Sequence, residues 1–283
     1  MSQSRCARSH GTVRRVKSYL QPMLPLGTLD GKTAIVTGGG TGLGKAMALE
    51  FARLGANVAI AGRRPDVLAA AVAELEAAGA RAMSHQTDVR SVEAVDAMVA
   101  GTLERFGAVD ILVNNAAGNF TVPSIDLSPN GWRAVVEIVL NGTWFCSQRV
   151  AKAMIAGGTG GAILNIGATY ASNGNPYTVH SAAAKAGVLA MSQTLAVEWA
   201  PYKIRVNVLS PGPIAETGAV TQLWPDEEKA RHVLENIPVK RLGERQEVAN
   251  LAAYLVSDYA DYVTGACTII DGARWLGKGA FAP

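Results

Sequence analysis

The stretch Thr33-Ala34-Ile35-Val36-Thr37-Gly38-Gly39-Gly40-Thr41-Gly42-Leu43-Gly44, followed by the helical pattern KAMALEFARLG, decides the fold. A short β-rich run turns on glycines into a helix. Glycine permits positive φ and a close backbone approach, and the helix start offers N–H donors and the positive end of a dipole, which together suit a pyrophosphate. The spacing is GxxxGxG rather than GxGxxG. Its setting between strand and helix is what points to a dinucleotide, with Gly38, Gly39, Gly40, Thr41, Gly42 and Leu43 as the cradle.

Outward from this motif the chain alternates apolar runs with longer helical periods. Strands are expected at 33–38, 57–62, 82–87, 110–114, 162–167, 204–209 and 266–270, and helices at 42–54, 65–79, 91–107, 128–156, 178–200 and 245–257. That order predicts an α/β fold: a doubly wound, Rossmann-type, seven-stranded parallel sheet with helices on both faces, in one domain covering 30–283. Ligands of such a sheet sit at the carboxyl ends of its strands. Pro211-Gly212-Pro213 and the polar, Trp-containing stretch after it break the rhythm and read as a mobile substrate lid over about 211–241.

Composition narrows the function classes. Of 283 residues, 49% are hydrophobic and 17% charged, as in a globular protein, and no apolar run is long enough to span a membrane. Three cysteines and four histidines show no metal-ligand spacing, so no metal is expected and a reducing cytoplasm fits best. The sequons at Asn119 and Asn141 follow no secretory signal and read as accidental. Residues 1–29 carry Arg5, Arg8, Arg14, Arg15 and Lys17 without an acid, leaving 21 basic against 23 acidic residues in the body. Nucleic acid is therefore not an expected partner. The basic tail superficially matches an organellar presequence, but Met23 lies just before the fold begins, and we read the tail as a disordered arm or start-site artefact.

At the end of the second strand, where an acid would accept from an NAD ribose, the chain has Gly62-Arg63-Arg64. Guanidinium groups pair with a 2′-phosphate, so the expectation is NADPH, with Arg63 as the main contact. TDV at 87–89 ends the third strand, with Asp88 placed for the adenine amino group, and NNAAG at 114–118 ends the fourth, with Asn114 and Asn115 tying strand ends together.

Together with TGGGTGLG, these strings resemble the short-chain dehydrogenase/reductase family over roughly residues 30–272. The resemblance adds Val89 and the Pro211-Gly212-Pro213-Ile214 segment, beside the nicotinamide amide, to the cofactor site. Most members reduce a carbonyl with Ser, Tyr and Lys, the last two in YxxxK. Here Lys185 is present, but the Tyr position is Ser181 and the Ser position is Ala168. A serine hydroxyl is a poor acid beside a phenol. Tyr177, two helical turns before Lys185, is set about 12 Å along the axis and is not a simple substitute. Three readings follow: a different reaction, a relocated acid, or NADPH binding without catalysis.

NNAAGNF (114–120), LSPNGW (127–132), VLNGT (139–143), HSAAAKAG (180–187), AVEW (196–199) and NVLSPGPI (207–214) resemble the 2,4-dienoyl-CoA reductases. Those enzymes also lack the YxxxK tyrosine, and a branch of them uses a tyrosine fifteen residues before the lysine, here Tyr170. The resemblance implies hydride transfer from NADPH to the δ-carbon of a 2,4-dienoyl thioester, as in β-oxidation of unsaturated chains. Asn119 and Tyr170 would stabilise the thioester oxygen, and Tyr170 would protonate the α-carbon to give a 3-enoyl thioester. Lys185 would hold the nicotinamide ribose, Ser181 would be a local hydrogen-bond partner, and Asn141 would anchor a water near the lysine or serve a helix kink. Arg90, Phe120 and Ser128 match the acyl-CoA entrance, with Arg90 able to meet a CoA phosphate. A homotetramer is implied as well.

Three features depart from that pattern. Gln222 stands near a basic lid position, the lid carries Glu216, Asp226, Glu227 and Glu228, and the usual DGG reads Asp271-Gly272-Ala273, followed by Arg274-Trp275-Leu276. We expect that last tripeptide to shape specificity or a subunit contact. A carbonyl reductase tolerating Ser181 and a non-catalytic NADPH-binding protein are the alternatives.

Overall fold

The computed structural model describes residues 23–217, 231 and 233–276. Seven parallel strands form one sheet in the order β3-β2-β1-β4-β5-β6-β7: β1 Thr33–Thr37, β2 Asn57–Gly62, β3 Ala82–Gln86, β4 Ile111–Asn114, β5 Gly161–Ile166, β6 Ile204–Pro211 and β7 Cys267–Ile270. The helices are α1 Gly42–Arg53, α2 Pro65–Ala77, α3 Val92–Phe106, α4 Pro129–Val136, α5 Gly142–Gly157, α6 Tyr170–Asn173, α7 Val179–Trp199 and α8 Arg245–Val256. The expected seven-stranded doubly wound sheet is thus present, with element ends displaced by one or two residues.

Side chains alternate across the sheet, which decides the two core layers. Ala34 and Val36 of β1 and Val58 and Ile60 of β2 face a layer holding Met47, Phe51, Leu68, Leu75 and Val248 from α1, α2 and α8. Ile35 and Ala59, one residue out of phase, face the opposite layer with Met98, Cys146, Val150 and Leu195 from α3, α5 and α7. Such central strands are buried on both faces, so they read as continuous apolar runs rather than alternating ones.

Several boundaries differ from the sequence reading. The single helix expected at 128–156 is two helices joined by a π turn, Glu137–Asn141. The tail ends before residue 29: Leu29 is buried and its N–H donates to the Leu54 carbonyl at 2.9 Å, and Leu24 packs against the core. Residues 1–22 lie outside the described residues. The lid expected at 211–241 is anchored at both ends. Ile214 and Ile237 are buried, and Gly243 N donates to the Pro213 carbonyl at 3.0 Å. Gln222 and Asp226, Glu227 and Glu228 lie outside the described residues. Among the described residues no helix is long and apolar enough to cross a membrane, and no cluster of His, Cys, Asp or Glu could hold a metal.

Candidate active site

A cavity of about 1540 Å³ opens at the carboxyl ends of the strands. Its walls are built by the loops that leave β1, β2, β3, β4, β5 and β6, because in a parallel sheet all of these loops emerge on one edge. Among the described residues lining it, the charged ones are Arg63, Arg64, Asp88, Lys185 and Arg274.

The phosphate loop fits a dinucleotide. Gly38 has φ +65°, and a Cβ there would meet Asn115 Nδ2 at 2.8 Å. At Gly44 a Cβ would run into the Gly38 carbonyl oxygen and reach Asn115 Nδ2 at 2.6 Å. This is the close approach of helix and loop that glycine alone allows. Asn115 Nδ2 donates to the carbonyls of Thr37 at 3.0 Å and Gly38 at 3.3 Å, and Thr37 Oγ accepts from Asn115 N and Ala116 N at 3.0 Å each. The loop is thereby pinned to the end of β4. Thr41 precedes α1 without a capping side-chain hydrogen bond, and the first turn has no acid, which leaves its N–H groups to an anion.

Gly62 ends β2, and Arg63 and Arg64 after it line the cavity. The Thr87 hydroxyl at the end of β3 is buried without a hydrogen-bond partner among the described residues, and Thr87 lines the same wall. Asp88 and Val89 line it too. Asp88 is already gripped by Arg90, whose Nε donates to both carboxylate oxygens at 2.9 and 3.1 Å. These hydrogen bonds, together with the charge of Arg90 and the more distant Arg63, hold the Asp88 carboxyl below its usual range.

The opposite wall carries the candidate chemistry. β5 ends at Ile166, the chain passes Gly167, Ala168 and Thr169, and one short turn, α6, presents Tyr170. Its phenol oxygen lies 3.0 Å from Ser181 Oγ in the first turn of α7. One turn later Lys185, buried, points its Nζ at the carbonyl of Ile166 and donates to it. Burial lowers the Lys185 ammonium to about 8 and raises the Tyr170 phenol, with the Ser181 hydrogen bond opposing the latter shift in part. A buried neutral phenol beside a hydroxyl is a proton donor whose proton is retained at neutral pH.

The remaining expected residues divide. Asn119 lines the cavity, with its Oδ1 accepting from Phe120 N at 2.9 Å, and Pro211, Gly212, Pro213 and Ile214 line it at the end of β6. Arg90, Phe120, Ser128 and Asn141 are not among the lining residues. Ser128 caps α4, its Oγ accepting from Gly131 N at 3.1 Å. Phe120 packs against His180 with the rings tilted by 37° and their centroids 4.4 Å apart. Asn141 closes the π turn, whose Ile138 and Val139 line the cavity in its place. Tyr177 is not on the helix of Lys185: it precedes α7 in a loop, with φ +63°, and it lines the cavity. Its distance from Lys185 is therefore not measured along a helix axis.

The sequence assigns no role to Thr37, Thr87 or the wall residues Asn175 and Pro176. Thr37 and Thr87 had a findable signal, since each hydroxyl residue falls at the carboxyl end of a predicted strand. Behind the site, Asn114 Nδ2 donates to Ser147 Oγ at 2.9 Å and Asn165 Oδ1 at 2.8 Å, and Asn165 Nδ2 to Ser192 Oγ at 2.8 Å. This buried, satisfied network ties β4 and β5 to α5 and α7.

A family model described as Enoyl-(Acyl carrier protein) reductase matches residues 38–273. A protein of Bacillus subtilis (strain 168), named a probable 2,4-dienoyl-CoA reductase, (2E)-enoyl-CoA-producing, is 46% identical over 249 residues, 88% of this chain and 98% of its own. A peroxisomal 2,4-dienoyl-CoA reductase, (3E)-enoyl-CoA-producing, of Arabidopsis thaliana is 40% identical over 261 residues, 89% of this chain and 87% of its own. Among solved structures, a short chain dehydrogenase from Bacillus anthracis is 47% identical, covers 86% of this chain and 96% of its own, and superposes with a TM-score of 0.79.

Proposed function

The chain belongs to the short-chain dehydrogenase/reductase family, and on that basis we propose that this oxidoreductase reduces 2,4-dienoyl-CoA thioesters with NADPH, yielding 3-enoyl-CoA in the oxidation of unsaturated fatty acids. The observation that carries the reading is the placement of Tyr170 in the cavity, hydrogen-bonded to the Ser181 that stands where the family's usual tyrosine would be. Relatives named 2,4-dienoyl-CoA reductase support the reduction, and the Arabidopsis thaliana one is named for the 3-enoyl product, whereas the Bacillus subtilis one is named for the 2-enoyl product.

In the cofactor site, the phosphate loop Gly38–Leu43 would take the pyrophosphate, Arg63 and Arg64 a 2′-phosphate, and Thr87 and Asp88 the adenine. Pro211–Ile214 would flank the nicotinamide, with Lys185 on its ribose. When bound, NADPH supplies the hydride that reaches the δ-carbon of the substrate.

Reduction at that carbon moves negative charge through the conjugated chain to the thioester oxygen. Asn119 and Tyr170 are the donors nearest to hand, and a preorganised donor in a dry site is worth about 2.7–4 kcal/mol. Tyr170 then gives its proton to the α-carbon, and Ser181 holds the phenol in place. Lys185, when charged, biases the site toward the anion and the ribose. Ala168 leaves no serine hydroxyl to position a simple ketone, consistent with a different acceptor.

Apolar side chains exposed on α4, α5 and α7, namely Trp132, Ile155 and Val197, support self-association, a homotetramer in our reading. Sedimentation as a monomer would remove it. The activity itself is tested by NADPH oxidation with 2,4-hexadienoyl- or 2,4-decadienoyl-CoA, with acetoacetyl-CoA as control. Turnover of the dienoyl substrates with little on acetoacetyl-CoA supports the reading, and the reverse pattern makes the protein a carbonyl reductase.

A further inference from the structure

We infer that Arg274 holds a phosphate of the thioester carrier, at the end of the cavity remote from the adenosine half of the dinucleotide. This rests on the acyl-thioester reading above.

Arg274 follows β7 in the turn Asp271–Leu276. The turn is braced by Asp271 Oδ2, which accepts from Trp275 N at 2.8 Å, and by Arg274 N, which donates to the Asp271 carbonyl at 3.3 Å. Gly212 packs against Asp271 so closely that a Cβ there would meet the Asp271 backbone at 2.8 Å. The turn is therefore set directly behind the Pro211–Ile214 edge. From it the half-buried guanidinium reaches the cavity wall.

Its Nε is buried with no hydrogen-bond partner, and its side chain enters no ion pair among the described residues. The Nε itself is closed off, but the guanidinium carries a full charge with no counter-charge among the described residues, and an anion in the cavity that its side chain lines would neutralise it. No described wall residue can do so. Asp88 is the one acid among them, and Arg90 has taken it. Glu216, an acid of the lid segment, is paired with Arg245.

The anion is not on the dinucleotide. Arg63 lies beyond β2 and the phosphate loop beyond β1, respectively five and four strand positions from β7. At about 4.8 Å per strand these separations are roughly 24 and 19 Å. Lys185 is enclosed at the centre of the site, so Arg274 is the remaining wall cation for the substrate's own charge. Arg90 and Ser128, expected at the carrier entrance, do not line the cavity, and Arg90 is paired with Asp88. The phosphates of a pantetheine carrier, shared by CoA and acyl carrier protein, are the anions such a thioester brings.

The test compares three 2,4-dienoyl thioesters at saturating NADPH: CoA, 4′-phosphopantetheine, with one phosphate, and N-acetylcysteamine, with none. Arg274→Gln is expected to raise KM about ten- to a hundred-fold for the phosphate-bearing thioesters, the size of a charge-assisted hydrogen-bond pair, and to leave N-acetylcysteamine unchanged. Arg274→Lys should recover part of the loss. A rise for CoA alone still supports the grip and places it on the nucleotide phosphates. Equal effects on all three thioesters, no effect on any, or a raised KM for NADPH overturns the inference. Failure of the wild type on every dienoyl thioester instead removes the activity reading itself.

Discussion

The phenol of Tyr170 and the hydroxyl of Ser181 stand 3.0 Å apart, although one follows β5 and the other opens α7. The pair moves an acidic proton to the site from an unusual direction. A phenol is a far better acid than an alkyl hydroxyl, so Tyr170 is the donor of the two and Ser181 its holder.

Tyr170→Phe keeps the ring and removes the proton. Steady-state kinetics on a dienoyl-CoA should show turnover reduced about 100-fold or more, the size of a general acid's contribution, while NADPH binding followed by fluorescence stays within twofold. Ser181→Ala should cost much less, because the phenol survives. Full activity in Tyr170→Phe would make this tyrosine a packing residue.

Proton delivery also has a product signature. Attack of the α-carbon on the Tyr170 proton leaves the double bond at C3, whereas γ-protonation leaves it at C2. We expect 3-enoyl-CoA by NMR of the product, and a 2-enoyl product would move the donor to the other side of the chain.

Lys185 sets a pH limit. Burial lowers its ammonium to about 8, so the charge that would hold the ribose is present below that pH and lost above it. The dissociation constant for NADPH should rise as pH climbs past about 8, and Lys185→Met should flatten that rise. Folding stability runs the other way. Between about 8 and the unfolded value of 10.5 the unfolded chain keeps a proton that the folded chain has released, so this group makes stability increase with pH across that window. Tyr170, whose phenol is raised by burial, stays protonated throughout the neutral range.

Arg63→Ala should raise KM for NADPH about ten- to a hundred-fold and barely move that for NADH, because the lost contact is a charge-assisted one to a group only NADPH carries. Equal changes for both cofactors would place the Arg63 side chain in solvent.

Two glycines of one loop should behave differently. Gly42 has φ +55° with open space around its Cβ position, so Gly42→Ala costs about 1–2 kcal/mol of backbone strain and lowers the melting temperature by a few degrees. In Gly44→Ala the new methyl meets the Gly38 carbonyl and the Asn115 amide, which must shift the phosphate loop itself. Calorimetry and NADPH titration should show cofactor binding lost in the second and largely kept in the first.

The fold was legible because its signals are local. Apolar runs of strand length alternate with helical periods, and glycines between Thr37 and Lys45 admit only a tight strand-to-helix turn, so strand order and layers follow with few alternatives. The π turn at Glu137–Asn141 was marked only by the kink role open to Asn141, since the sequence there otherwise continues an ordinary helical pattern. Tyr177 illustrates the same point. Assigned by rise along a helix, it lies instead in a left-handed loop at the cavity wall.

Sequence alone determined the sheet, the dinucleotide loop, the arginines after β2 and the vacancy at the usual tyrosine, because each depends on residue type at fixed spacing within one segment. Only the tertiary structure decided that Tyr170 meets Ser181, that Arg90 is spent on Asp88, that Ser128 caps a helix and that Arg274 reaches the cavity unpaired. Those outcomes depend on where side chains from distant strands meet and on which charges already have partners, and spacing along the chain carries no information about either.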